Sequence, residues 1–339
     1  MSNKSLIIIN NEKISKEKNT FCCDNIDIKS ISEGLNEKFD VTLIARSSKA
    51  KRSHNISLEN IKISFSIFLF LVNIFKNFKQ KDVIYLIVSI TPYTFISYVL
   101  LFFFRKKVFV YLRSSGYEEY KAIFGFLGPL IYHLMFKIVT FKSNVISCQE
   151  RLFNKDKSNI VFPSELNSAW FENTHKPLLD KPRLLYVGRV KVEKGIFSLL
   201  EIFKKININA NLSVVGKSEN KNLNYEKINY IKYVSDTSSL IKIYDEHNIF
   251  ILPSVTEAHP KVIDESLARL RPVIIFEEIQ HIVKDKKGIF VAKRDSNSLS
   301  STIDYVMKNY INIQESMRKN KLPTKKEFTS QMVSILSSN

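Results

Sequence analysis

Short apolar runs recur along the chain, each followed by a longer stretch in which apolar residues return every three or four positions. The runs near 5–10, 41–46, 83–89, 108–113 and 145–148 read as strands, and 28–38, 65–78, 92–104 and 118–141 read as helices. A polar stretch with three prolines, 163–182 (PSELNSAWFENTHKPLLDKP), interrupts the alternation and resembles a linker. The pattern then restarts, with strands near 183–187, 211–215, 230–234, 249–252, 273–276 and 288–291. Helices are expected near 193–206, 238–246, 260–270 and 296–308, with a polar C-terminal helix from about 323. Strands that are apolar on both faces belong to parallel sheets covered by helices. The expected class is therefore α/β: two tandem domains with open parallel sheets, 1–165 and 182–339, joined by 166–181. The last helix, about 323–337, is expected to pack back on the first domain.

Composition supports a globular chain and removes several classes. With 45% hydrophobic and 12% aromatic residues, 339 residues can bury two cores. Only 8 Gly and 9 Pro exclude collagen-like and Pro- or Gly-rich disordered chains. The net charge of +18 is spread evenly, with 25 basic against 16 acidic side chains in residues 1–180 and 26 against 17 afterwards. A nucleic-acid arm would concentrate that excess, and Lys outnumbers Arg 40 to 11, so sequence-specific DNA reading is not expected. What stays open is a Lys-rich composition bias or a basic face for nucleotide phosphates or anionic lipid. Cys22, Cys23 and Cys148 make neither a disulfide framework nor a zinc motif, which fits a reducing, cytoplasmic setting. The apolar run 6–9 is too short for a signal-peptide core and reads as a strand.

Two apolar stretches raise the question of a membrane. Residues 83–104 carry no charge and are long enough to span a bilayer, but Thr91-Pro92 splits them into a strand and a helix. Residues 123–141, flanked or interrupted by Lys121, Lys137 and Lys142, read as a helix packed on the sheet or one touching a membrane interface.

Two constellations carry chemistry. In RLLYVGRVKVEKGIFSLLEIFKK a strand ends at Gly188-Arg189, and a loop reaches Lys194-Gly195 before an amphipathic helix. Two cations at a helix N-terminus suit a diphosphate, although many charged strand-to-helix loops look alike. In FILPSVTEAHPKVIDESLARLRPVIIF a strand runs into Pro253-Ser254, Glu257 lies on the loop, and Pro260 fits the first helical position. Glu265 follows more than a turn inside the helix, so the two carboxylates can address different parts of one extended ligand. The spacing itself is weak, since Glu193 and Glu201 repeat it.

Taken together, YVGRVKVEKG, the glycine of LSVVGK (Gly216) and LPSVTEAHPKVIDESLARLRPVII resemble bacterial glycosyltransferases of family 4 over about residues 183–310. The resemblance implies the GT-B fold, two facing Rossmann-like domains. It also implies transfer of a sugar from a nucleotide-diphosphate donor to a glycan or lipid-linked acceptor, with retained configuration and no metal or other cofactor. Carried over by position, Arg189 and Lys194 would hold the diphosphate, Glu257 would contact the donor sugar and Glu265 the ribose. Gly188, Gly195, Gly216 and the stretch Ala258, His259, Pro260, Lys261 would complete the donor pocket. Envelope polysaccharide or lipopolysaccharide synthesis follows as the setting, at the inner face of the cytoplasmic membrane.

The chain departs from the family in places. Ala258-His259-Pro260 replaces a Gly-Phe-Gly-like stretch, Leu270 stands where a Gly is frequent, and 10–18 lacks the glycine loop. A His after a mid-domain strand of the first half is replaced by Arg113-Ser114-Ser115-Gly116. Arg113, Ser115 and Gly116 are then cleft candidates or an ordinary turn, and His259 is a sugar contact or a helix cap. Two other classes fit part of the pattern: a sugar-nucleotide epimerase on the same fold, and a non-catalytic basic protein that binds membrane or nucleic acid.

Overall fold

The computed structural model describes residues 4–80, 82–153, 158–217, 227–234, 236–257 and 259–338. The chain divides into two compact units, Met1–Pro163 with Lys326–Asn339, and Ser164–Lys325.

The first unit is built on β1 (Ser5–Glu17), β2 (Thr20–Cys23), β3 (Asp40–Ser47), β4 (His54–Ile56), β5 (Asn60–Ser64), β6 (Ile84–Val88), β7 (Val108–Leu112), β8 (Asn144–Ser147) and β9 (Ser158–Ile160). Its parallel part runs β5-β3-β1-β6-β7-β8-β9. Every residue of β6 and β7 is buried, as expected of central strands covered on both faces. The apolar stretch 83–104 divides at Thr91. Thr91 and Thr94 form a reciprocal capping box, with Pro92 in the first turn of the helix Pro92–Phe103. Among the described residues no helix is long and apolar enough to cross a membrane.

Two expectations for this unit change. Residues 10–18 are not a loop: β1 continues to Glu17 past a register shift between Ile9 and Lys13, and its end pairs antiparallel with β2, which pairs with β4. A single helix over 118–141 gives way to two, Gly116–Phe124 and Gly128–Lys142, because Gly125 turns left-handed (φ 62°) and Pro129 restarts the helix. The C-terminal helix Lys325–Ser337 lies with this unit from Lys326 on, placing Phe328 against Tyr111 and giving the Phe162 N–H a partner in Gln331.

The second unit holds β10 (Arg183–Val187), β11 (Asn211–Val215), β12 (Ile228–Ile231), β13 (Ile249–Leu252), β14 (Val273–Phe276) and β15 (Ile289–Ala292). All are parallel, in the order β12-β11-β10-β13-β14-β15. Residues 166–181, read from sequence as a linker, fall within this unit. Trp170 is buried edge-on against Tyr244, and two buried arginines hold the segment's carbonyls. Arg269 donates to the carbonyls of Trp170, Glu172 and Asn173 and pairs with Asp245 at 2.6 Å. Arg271 donates to the carbonyl of His175.

Candidate functional site

The order of the second sheet sets the place of the site. From β10 the chain steps outward to β11 and β12 on one side, then returns to β13 and proceeds to β14 and β15 on the other. The neighbours β10 and β13 therefore lead to loops that part in opposite directions, leaving a crevice at their carboxyl ends. Both charged loops read from the sequence leave these two strands. The β10 loop ends in a 3-10 turn, Val192–Lys194, before the helix Ile196–Phe203, and the β13 loop leads to the helix Lys261–Ala268. Neither helix has a side-chain cap at its start, so first-turn N–H groups at both are not taken up by a cap.

The crevice rests on close backbone approaches. A Cβ on Gly195 would lie 1.8 Å from the Pro253 carbonyl oxygen, and one on Gly216 would lie 1.9 Å from that of Gly188. Gly188 donates its N–H to Val215, and the Tyr186 hydroxyl donates to the Arg189 carbonyl, fixing the turn out of β10. Arg189 itself is exposed.

Lys194 and Glu257 meet, with Nζ 2.5 Å from Oε1, and the Ser254 hydroxyl donates to the same oxygen at 2.7 Å. The His281 imidazole lies 3.1 Å from the Glu257 carbonyl oxygen. Lys261 opens its helix and pairs with Glu165 at 2.6 Å. Glu265 is buried one turn further on and accepts from the Tyr244 hydroxyl at 3.0 Å. Burial pushes its carboxyl up to about 7, against the pull of the Tyr244 bond and the Lys261 charge. Pro260 stands at the helix cap, one position earlier than expected, and Ala258 lies outside the described residues.

Residues 170–322 match the model of the family described as Glycosyl transferases group 1. A capsular polysaccharide biosynthesis glycosyltransferase of Staphylococcus aureus, CapM, is 29% identical over 185 residues, covering 49% of this chain and 47% of that protein. The chain thus spans about half the length of the curated relatives it matches. Among solved structures, a sucrose-phosphate synthase of Thermosynechococcus elongatus is similar at a TM-score of 0.68 and 17% identity, covering 98% of both chains. HepE of Anabaena, in complex with UDP and glucose, is similar at a TM-score of 0.68 and 11% identity, covering 98% of this chain and 97% of that one. These likenesses establish the two-domain α/β GT-B fold.

Within the second unit, one network was not foreseen from sequence. Asp264, buried beside Glu265, bonds the Lys286 ammonium and faces His259 Nε2 at 3.4 Å. Those partners hold its carboxyl below the usual carboxylate range despite burial. His259, just before the helix cap Pro260, is thus drawn to a carboxylate inside the helix that follows rather than capping it. An Asp in this helix was legible, but not that Lys286, 22 residues on, would fold against it. Leu270, at the position where a Gly is frequent, is left-handed at φ 56°.

The Glu265 shift sets a pH dependence for the domain. The folded carboxyl titrates near 7 and the unfolded one near 4.5, so the fold holds its proton more tightly. The resulting stability is present below pH 4.5 and is lost as pH rises through 7. Glu265→Gln is expected to remove that loss, gaining on the order of 2 kcal/mol over the parent at pH 8 relative to pH 5. Urea unfolding at the two pH values measures it; parallel behaviour of parent and variant would contradict the assignment.

In the first unit the candidates part company. Arg113 leaves β7 and is held by Asp27 at 2.8 Å, by Asn25 and by Ser89, next to the crevice where β1 and β6 diverge. Ser115 precedes the helix Gly116–Phe124 without bonding to it. Gly116 is explained by packing: a Cβ there would sit 2.0 Å from the Tyr132 ring. The missing side chain therefore makes room for a helix contact.

Proposed function

We propose that this protein is a glycosyltransferase that moves a sugar from a nucleotide-diphosphate donor to a glycan or lipid-linked acceptor. The observation that carries the reading is the pair of charged loops that leave the neighbouring strands β10 and β13, with Lys194 against Glu257 and Glu265 buried in the helix that follows. In this reading Arg189 and Lys194 take the diphosphate, together with the two uncapped helix starts. An ammonium has three donors, so Lys194 can keep Glu257 while offering the others to phosphate oxygens. Their charge would stabilise the departing diphosphate without a metal, and no cofactor is part of the reading. Glu257 would orient the donor sugar through its hydroxyls, and Glu265 would accept from the ribose.

The finer assignments belong to the same proposal: family 4, retention of configuration, cytoplasmic work in capsular-type polysaccharide or lipopolysaccharide assembly, and peripheral contact with the membrane. HepE is described in complex with UDP and glucose, and CapM as a capsular polysaccharide glycosyltransferase, which supports a UDP-sugar as the first donor to try. The test is a calorimetric panel of nucleotide sugars with the parent, Arg189→Ala and Glu265→Ala. One donor is expected to bind, and each variant to weaken it about tenfold to a hundredfold, the size of a lost charge-assisted hydrogen bond. Unchanged binding in both variants would remove the site assignment. Turnover of the donor to an isomeric nucleotide sugar without acceptor would make the protein an epimerase.

A further inference from the structure

The helix Gly128–Lys142 is apolar on two opposite faces. One face, with Tyr132, Met135 and Val139, is buried against the first unit's sheet. The other carries Leu130, Leu134, Ile138 and Phe141 at helical spacing, and all four are exposed. A helix apolar all round is ordinarily buried all round, so this second face lacks a cover. The turn before it adds Phe126, which at 86% exposure is the most exposed large hydrophobic residue among those described. Phe102 and Phe103, on the neighbouring helix Pro92–Phe103, are exposed as well.

The charge around this face selects its partner. Between residues 83 and 149 the sequence has seven basic residues and two acidic ones, and the helix itself has no carboxylate. Lys121, Lys137 and Lys142 are exposed, with the Lys142 ammonium near the rings of both Phe102 and Phe141. A second copy would bring like charge to this face, whereas an anionic bilayer offers hydrocarbon for the rings and phosphates for the lysines. With 15 residues the helix is too short to span a bilayer and suits lying in its surface.

We propose that the turn Gly125–Leu127 and the outer face of Gly128–Lys142 form a docking surface for an anionic lipid bilayer, with Phe126 as the inserted tip. This deepens the peripheral-membrane part of the function above and rests on it, but not on sugar transfer. Nucleotide-sugar binding, read in the same preparations, therefore separates failure of the one from failure of the other.

The experiment is co-sedimentation of the full chain with phosphatidylcholine vesicles, with and without phosphatidylglycerol, at low and high salt. Binding is expected only with phosphatidylglycerol, weakened by salt. Combined Phe126→Ser, Leu130→Ser and Leu134→Ser should cut the partition by at least about tenfold, as should Lys121→Glu with Lys137→Glu and Lys142→Glu. Because these side chains are exposed, the urea midpoint should hold in both variants. Phe126→Trp should give a blue shift on adding vesicles, against the buried Trp170 as background. No sedimentation with phosphatidylglycerol at low salt would overturn the proposal, as would a serine variant that sediments like the parent. A parent dimer that the serine variant dissociates would overturn it too, in favour of a second copy.

Discussion

Replacing Lys194 with Met is expected to lower kcat/KM for sugar transfer by about two to three orders of magnitude, the usual cost of removing a group aimed at developing charge. The Lys194 side chain is three-quarters buried and its ammonium bonds Glu257 at 2.5 Å, so the substitution removes two things at once. A phosphate-bound leaving group loses its countercharge, and Glu257 keeps only Ser254 as a side-chain donor among the described residues. The two losses can be told apart. If Lys194 acts only by placing Glu257, then Lys194→Met added to Glu257→Gln will cost nothing further. If it also neutralises the leaving group, the second substitution will cost at least another tenfold. Lys191→Met, three positions away on the same loop and exposed, serves as the control and should stay within about threefold. Activity of Lys194→Met within threefold of the parent would show that the lysine is only a tether for the loop.

How far such residues could be found before the fold was known depends on how local their reasons are. The parallel strands were legible because runs such as those of β6 and β10 are apolar on both faces and carry their own signal. The crevice between β10 and β13 was legible only in part. Its glycines, cations and carboxylates stand in the sequence, but the strand order that makes these two loops neighbours does not. The hairpin end of β1 escaped because Lys13 to Glu17 carries a single apolar residue, Ile14, and pairs with β2 across an exposed turn at Lys18.

Arg269 and Arg271 were hidden for a different reason. Nothing local marks an arginine as buried, and both are held by carbonyls 96 or 97 residues upstream and by Asp245. Leu270 between them shows how this chain spends few glycines. A left-handed leucine costs about 1–2 kcal/mol, and burying its side chain returns about as much or more.

No such exchange is open at Gly195, and Gly195→Ala is expected to destabilise the second unit by about 3–4 kcal/mol. The residue is left-handed at φ 66°, which costs an alanine about 1–2 kcal/mol, but its side chain would have no room to pack. The methyl would lie 1.8 Å from the Pro253 carbonyl oxygen, a backbone atom that cannot rotate away. Forcing the two loops apart adds the usual 1–3 kcal/mol or so of overpacking. The direction of the movement matters more than its cost. Pro253 leads directly to Ser254 and Glu257, while Gly195 begins a helix with no side-chain cap at its start, directly after Lys194. Separating them stretches the Lys194–Glu257 bond, so donor binding should fall by more than the lost stability alone accounts for. Urea unfolding gives the first quantity and calorimetry, at a temperature where the variant is fully folded, gives the second. Loss of stability with donor affinity unchanged would mean that the Gly195–Pro253 contact holds the fold together but does not shape the site.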